Sequence, residues 1–240
     1  MKCNGLKNFS FSNRNNIYPK NIIWFPFMLI FKKLIRELFS KYTKSFTNST
    51  DYWQKRYFFG GNSGKGSYGD EAIFKAEKLN KLISQFRFDG VIELGCGDGN
   101  NASYYESEHY FGFDISFDAI QICKKKFAGN NNFQFFEIDE KYCGKMREIK
   151  NTYKLKNELA ISFDVIFHLV EDDIYFDYLD KLEVASNKNL LIYSTNYDKF
   201  EKSAHVRHRL YSKELEKRGW KEHPSSTYDW SDKSFKLFQK

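Results

Sequence analysis

The chain has 240 residues, 41% of them hydrophobic and 19% aromatic, with only 3 Pro and 14 Gly. That is enough apolar side chain for one sizeable core, and too little Pro and Gly for a disordered or fibrous chain. The net charge of +7 sits at one end: residues 1–56 carry +9 and residues 57–240 carry −2, so the body of the chain lacks the basic stripe of a nucleic-acid enzyme.

Cys3, Cys96, Cys123 and Cys143 form no C-x-x-C pair, and no His stands at ligand spacing from them. A zinc site and a disulfide framework are not expected, and a reducing, cytoplasmic compartment fits better.

Residues 1–20 read as a polar tail. The apolar run Ile22-Ile23-Trp24-Phe25-Pro26-Phe27-Met28-Leu29-Ile30-Phe31 is broken by Pro26 and too short to span a bilayer. The basic flank Lys32-Lys33-Leu34-Ile35-Arg36 does not suit a signal peptide. Ile30, Phe31, Leu34, Ile35, Leu38 and Phe39 recur at helical spacing against a basic opposite face. Residues 22–41 therefore read either as an interfacial helix on an anionic membrane surface or as a helix packed on its own domain. We divide the chain into a basic N-terminal extension, residues 1–48, and one domain, residues 49–240.

Gly60, Gly61, Gly64, Gly66 and Gly69 form a glycine-rich loop flanked by Tyr57 and Tyr68. A solvated linker has no use for such aromatics, whereas a loop closing over a ligand does. No Walker pattern fits it. Asp70 to Phe86 predicts a helix with Ala72, Ile73, Ala76, Leu79, Leu82 and Ile83 on its apolar side.

Strands and helices then alternate. Strands are expected at residues 91–94, 110–113, 133–138, 161–167 and 189–195. Helices are expected at 100–107, 116–126, within 140–158, at 172–185 and at 211–218. Residues 220–228 and 235–238 are expected to close the sheet as an antiparallel pair. This alternation predicts an α/β fold, a parallel sheet covered on both faces.

The chemistry concentrates at Val91-Ile92-Glu93-Leu94-Gly95-Cys96-Gly97-Asp98-Gly99-Asn100. A strand runs into a tight G-x-G-x-G loop that lacks the third glycine of a dinucleotide fingerprint. Asp114 ends the next strand, 19 positions after Gly95, where a carboxylate can accept hydrogen bonds from both ribose hydroxyls of an adenosine ligand. Asp139 ends the third strand, within reach of an adenine amino group. Asp114 can instead cap the helix that follows it.

Glu93-Leu94-Gly95-Cys96-Gly97-Asp98-Gly99 resembles the first motif of the class I S-adenosylmethionine-dependent methyltransferases, and Asp114 matches that family's ribose-binding acid. Ile138-Asp139 is similar to its adenine-side motif, and Phe163-Asp164-Val165-Ile166 to the motif ending the fourth strand. The resemblance covers roughly residues 50–240. Ser63-Gly64-Lys65-Gly66-Ser67-Tyr68-Gly69, together with the run from Asp164 to Asp172, resembles a bacterial subgroup linked to surface-polysaccharide clusters.

The resemblance implies a Rossmann-like, doubly wound, mostly parallel seven-stranded sheet with a C-terminal antiparallel pair. It also implies S-adenosyl-L-methionine as cofactor. The cofactor set it implies is Glu93, Gly95, Cys96, Gly97, Asp98, Gly99, Asn100, Asp114, Ile115, Asp139 and Asp164, with Tyr68 from the approach loop. His168, following the fourth strand with an ordinary pKa near 6.5, is either the candidate general base or a satisfied helix-start or core histidine.

The expected reaction is O-methylation of a carbohydrate or small-molecule acceptor, with no metal and no nucleic-acid partner. An NAD-dependent oxidoreductase or epimerase, and a binding protein without turnover, are the alternatives. Asp164 either orients the sulfonium end or accepts loop N–H groups. Glu171, Asp172 and Asp173 suit a metal or simply a helix dipole. His205, Arg207, His208 and Arg209 form either an anionic-substrate patch or a solvated cluster.

Overall fold

Runs of aromatic and β-branched residues form the five expected parallel strands: β1 (Gly90–Leu94), β2 (Tyr110–Asp114), β3 (Phe133–Glu137), β4 (Glu158–Phe163) and β5 (Asn189–Ser194). The computed structural model describes residues 46–224, 229–230 and 232–240. The amphipathic segment at residues 22–41 lies outside them. The helices are α1 (Ser49–Phe58), α2 (Gly69–Phe86), α3 (Phe117–Lys126), α4 (Tyr142–Tyr153), α5 (Asp172–Ala185) and α6 (Tyr211–Lys217). The short strands are β6 (Lys199–Phe200), β7 (Arg207–His208), β8 (Lys221–Glu222) and β9 (Asp229–Trp230), and β10 (Lys233–Gln239) closes the chain.

Neighbouring strands run in the order β3-β2-β1-β4-β5-β10-β8, with β9 on β10. β1 pairs in parallel with both β2 and β4, so the strand order reverses beside β1 and opens a crevice beyond its C-terminal end. β10 runs antiparallel to β5 and β8, which is the expected closing pair. The sheet is the mostly parallel one that the alternation predicts, in the Rossmann-like order that the resemblance implies.

Side chains alternate between the two faces of each strand. Val91 points to the face covered by α2 and α3, where Leu79, Leu82, Ile120 and Cys123 pack. Ile92 and Leu94 point to the face covered by α4, α5 and α6, against Met146, Leu179 and Leu215. Ser116 caps α3 as expected, its hydroxyl accepting the Ala119 N–H at 3.3 Å.

Two expectations are corrected, and one unassigned segment gains structure. Residues 100–107 form only a 3-10 turn, Asn101–Tyr104, because Tyr105 leaves helical geometry and drops into the core between Tyr110 and Phe163. The fourth strand begins earlier and stops at Phe163: Asp164 turns with φ 58, and Ile166–His168 form a 3-10 turn. Residues 199–208, unassigned from sequence, form the β6–β7 hairpin.

Gly95 shows why the turn after β1 needs glycine. Its φ is 82, and an added Cβ would overlap a Val165 methyl. Gly95→Ala is expected to cost ~2–4 kcal/mol, from backbone strain plus overpacking. Combining it with Val165→Ala should cost less than the two single losses summed, as measured by urea unfolding. Strict additivity would mean that Val165 does not oppose the added methyl.

Candidate functional site

The loop after β1 satisfies its own amides. Gly95 and Cys96 N–H both donate to the Phe113 carbonyl, at 2.7 and 3.0 Å, which ties the loop to β2. Gly99 N–H donates to Cys96 O, and Asn100 N–H to Asp98 Oδ1. The Gly97 N–H donates to Asp114 Oδ2 at 2.9 Å, while Asp114 Oδ1 accepts the Ser116 N–H at 2.8 Å. Asp114 is thus joined both to the glycine loop and to the start of α3. Burial pushes its pKa up to about 6, although its backbone donors, Ser116 and Gly97, act in the opposite direction.

Each glycine meets a close neighbour from the chain itself. Gly97 faces Ser63 Oγ and the Tyr57 hydroxyl, leaving no room for a Cβ, and Gly99 packs on Cys123 and Phe127. The Cys96 thiol points away from the crevice, against Gly112, and its burial raises its pKa well above the ordinary value. Ile115 is half-buried, and its carbonyl accepts from Gln54 of α1.

The glycine-rich approach loop lies over this turn, with Asp98 as its hub. Asp98 Oδ2 accepts the Ser63 N–H at 3.0 Å and the Tyr68 hydroxyl at 2.7 Å. Ser63 Oγ accepts the Asp98 N–H and bonds the Tyr57 hydroxyl at 2.8 Å. Asn100 Nδ2 donates to Ser67 O at 2.7 Å. Tyr68 and Asp98, both expected to bind a cofactor directly, here bind each other. Tyr57 and Ser63, read from sequence only as parts of the approach loop, turn out to hold it on the glycine turn.

Glu93 corrects the expectation placed on it. Alternation along β1 turns it to the α2 face, where it is 1% exposed and accepts the Tyr110 hydroxyl instead of lining the crevice. Burial pushes its pKa up to about 7, against the pull of that hydrogen bond and the Lys75 charge.

Lys75, fully buried on α2, reaches Asp164 Oδ2 at 2.7 Å, and Lys233 of β10 reaches Asp164 Oδ1 at 2.8 Å. Lys233 also bonds Glu71. The two ammoniums hold the Asp164 carboxyl below its usual pKa despite its burial. Sequence reading missed Lys75, yet a signal existed. It lies three residues after Ala72 and four before Leu79, on the apolar side of the helix.

Asp139 stands exposed after β3, with Oδ1 accepting the Lys141 N–H at 2.8 Å at the start of α4. His168 lies five residues past the end of β4, in the 3-10 turn Ile166–His168, and not directly on the strand end. Its Nδ1 lies 3.1 Å from the His205 carbonyl, so the proton sits there and Nε2 keeps its lone pair. Trp53 meets its ring edge-on at 4.9 Å, and His205 stacks at 5.6 Å. Burial pushes its pKa down to about 4, well under the ordinary 6.5 expected from sequence.

Glu171 takes the backbone N–H and hydroxyl of Ser49, docking the start of α1. Asp172 takes Arg207 at 2.7 Å and also Arg209, whose guanidinium holds the Leu169 and Val170 carbonyls. Arg207 and Arg209 therefore brace the turn after β4, and are not an open anionic-substrate patch. No group of three or more potential metal ligands occurs among the described residues.

No family model and no curated protein matches the chain. Solved structures do match. The N-methyltransferase NodS from Bradyrhizobium japonicum WM9, in complex with S-adenosyl-L-homocysteine, superposes with a TM-score of 0.55 at 12% identity, over 80% of this chain and 98% of that one. An O-methyltransferase family protein from Burkholderia thailandensis gives 0.53 at 9% identity, over 90% and 70%. A SAM-dependent methyltransferase from Anabaena variabilis ATCC 29413 gives 0.51 at 11%, over 80% and 95%. What this chain shares with them is the methyltransferase fold.

The raised pKa of Glu93 makes a signed prediction. A pKa of about 7 in the fold against 4.5 ordinarily means that its contribution is full below about 4.5 and is lost as pH rises through about 7. Glu93→Gln should therefore gain stability relative to the parent across that window, by up to about 3 kcal/mol, and stay level outside it. Asp114 titrates nearby but is present in both proteins, so it largely cancels in the difference. Urea unfolding at pH 4.5, 6 and 8 measures this, and a pH-independent difference would show that Glu93 ionises normally.

Proposed function

We propose that the protein is an S-adenosylmethionine-dependent methyltransferase, acting by O-methylation on a carbohydrate or small-molecule acceptor. The observation that carries this reading is Asp114: a buried carboxylate at the end of β2, bonded to the N–H of the middle glycine after β1, beside the point where the strand order reverses. The two backbone donors use one lone pair on each Asp114 oxygen, and one remains on each for a pair of ribose hydroxyls. The acceptor sites left on Asp114 thus suit the ribose hydroxyls of the cofactor.

Under this reading Asp114 holds the ribose, and Asp139 meets the adenine edge with the carboxylate oxygen that the Lys141 N–H leaves free. Asp164, held between Lys75 and Lys233, fixes the turn after β4 beside the cofactor loop. The bound sulfonium supplies an already activated methyl group, so the protein's work is positioning and water exclusion. The approach loop latched on Asp98 covers the turn and excludes water. His168 takes the acceptor proton on Nε2, while its Nδ1–H bond to the His205 carbonyl fixes the tautomer and ring orientation.

The polysaccharide-linked subgroup and a cytoplasmic site of action belong to the same proposal. Residues 22–41 are then the segment that meets an anionic membrane face. No helix among the described residues is long and apolar enough to cross a membrane.

Calorimetry with S-adenosylmethionine tests the cofactor assignment. Asp114→Asn should weaken binding by ~1–3 kcal/mol, and unchanged affinity would reject the ribose role. Release of S-adenosylhomocysteine on incubation with hydroxylated cell-envelope fractions tests turnover. His168→Ala should lower kcat by ~10²–10⁴-fold while leaving cofactor affinity nearly unchanged, and a fully active variant would remove the general-base role.

A further inference from the structure

The acceptor side of the crevice is a wall of half-exposed rings. Tyr52 stacks on His205 with centroids 4.4 Å apart and planes at 11°, His205 stacks in turn on His168, and Trp53 closes edge-on. Tyr52, Trp53 and Arg56 come from α1, Phe167 and His168 from the turn after β4, and His205 from the hairpin.

Arg56 is the charged group in this wall. Its Nε donates to Asn62 O at 2.6 Å, its Nη1 to the Tyr52 hydroxyl at 3.3 Å, and its guanidinium lies 5.3 Å from the Trp53 centroid. It is half-buried, as are Arg207 and Arg218, while Arg209 is buried. Those three pair with carboxylates: Asp172 for Arg207 and Arg209, and Asp180 and Glu183 for Arg218. Among the described residues Arg56 has no carboxylate within ion-pairing distance. A guanidinium fixed in orientation, partly withdrawn from water and without a counter-ion is preorganised for an external anion.

We infer that Arg56 forms an anion subsite on the acceptor side of the crevice, and that the acceptor is a ring bearing a carboxylate or phosphate group, an inference that rests on the methyltransferase reading above. The flat faces of Tyr52, Trp53 and Phe167 pack the ring, and the guanidinium fork takes the acid group.

The arrangement also couples acceptor binding to the base. Burial lowers the pKa of both His168 and His205, and the Arg56 charge adds to that effect at each; Asp164 is the carboxylate that opposes it at His168. An anion on Arg56 cancels that positive field, so both imidazoles become more basic. An acceptor carrying the acid group thereby strengthens the base that removes its own hydroxyl proton.

The test uses the full chain with isotopically labelled histidine. The pKa values of His168 and His205 are followed by NMR at constant ionic strength with glucuronate, glucose 6-phosphate, glucose and inorganic phosphate. Both pKa values should rise with glucuronate and with glucose 6-phosphate, and neither with glucose. Arg56→Gln should weaken binding of the two charged ring probes about tenfold or more and abolish the shift, and Arg56→Lys should keep part of it.

No upward shift with either charged ring probe, or a shift that survives in Arg56→Gln, overturns the subsite. Inorganic phosphate binding as tightly as both ring probes overturns the ring requirement. Calorimetry with S-adenosylmethionine on the same samples separates the two readings. Cofactor binding without an anion response rejects the subsite alone. An anion response without cofactor binding rejects the methyltransferase reading and leaves the subsite standing.

Discussion

A carboxylate held between two ammoniums sets the geometry at the end of β4. Asp164 sits in left-handed backbone, which costs a non-glycine residue free energy, and Lys75 and Lys233 close on its two oxygens. One lysine comes from α2 and the other from the last strand, so the pair joins the start and the end of the domain across the sheet edge. Removing one member would leave a buried charge uncompensated, which makes the three groups interdependent. The turn they stabilise aims residues 166–168 at the hairpin and at α1, and it places Val165 against Gly95. The position of His168 and the tightness of the glycine loop thus share one electrostatic cause.

The other carboxylates of the crevice are used differently. Asp98 organises the covering loop through hydrogen bonds to Ser63, Tyr68 and Asn100. Asp114 joins the glycine loop to α3 and keeps capacity for two more donors. Glu93 faces the core and is raised by burial. Four acids within one short span of sheet edge therefore differ in partners and role. Burial and partners make the difference, since two of them are Asp at strand ends with the same intrinsic chemistry.

The cover over the crevice is made almost entirely of polar contacts. Ser63, Tyr68 and Asn100 hold it by hydrogen bonds, and glycines with left-handed φ stand at residues 60, 64 and 69. Such a cover is strong when closed and has little apolar area to lose when it opens, the balance expected of a loop over a bound ligand.

Much of the architecture was legible in the residue order. Short apolar and aromatic runs alternating with period-3.6 stripes gave the five parallel strands, most of the helices and the antiparallel closing strand. The spacing from Gly95 to Asp114 placed a loop beside an acid. These are local properties, carried by side-chain periodicity and by glycine's access to left-handed backbone. Tertiary structure alone decided the partners. It turned Glu93 to the core, gave Tyr68 to Asp98, set Lys75 and Lys233 on Asp164, and left Arg56 without a carboxylate among the described residues. Each of those outcomes depends on residues tens of positions apart meeting at one edge of the sheet, and on how much water their meeting excludes.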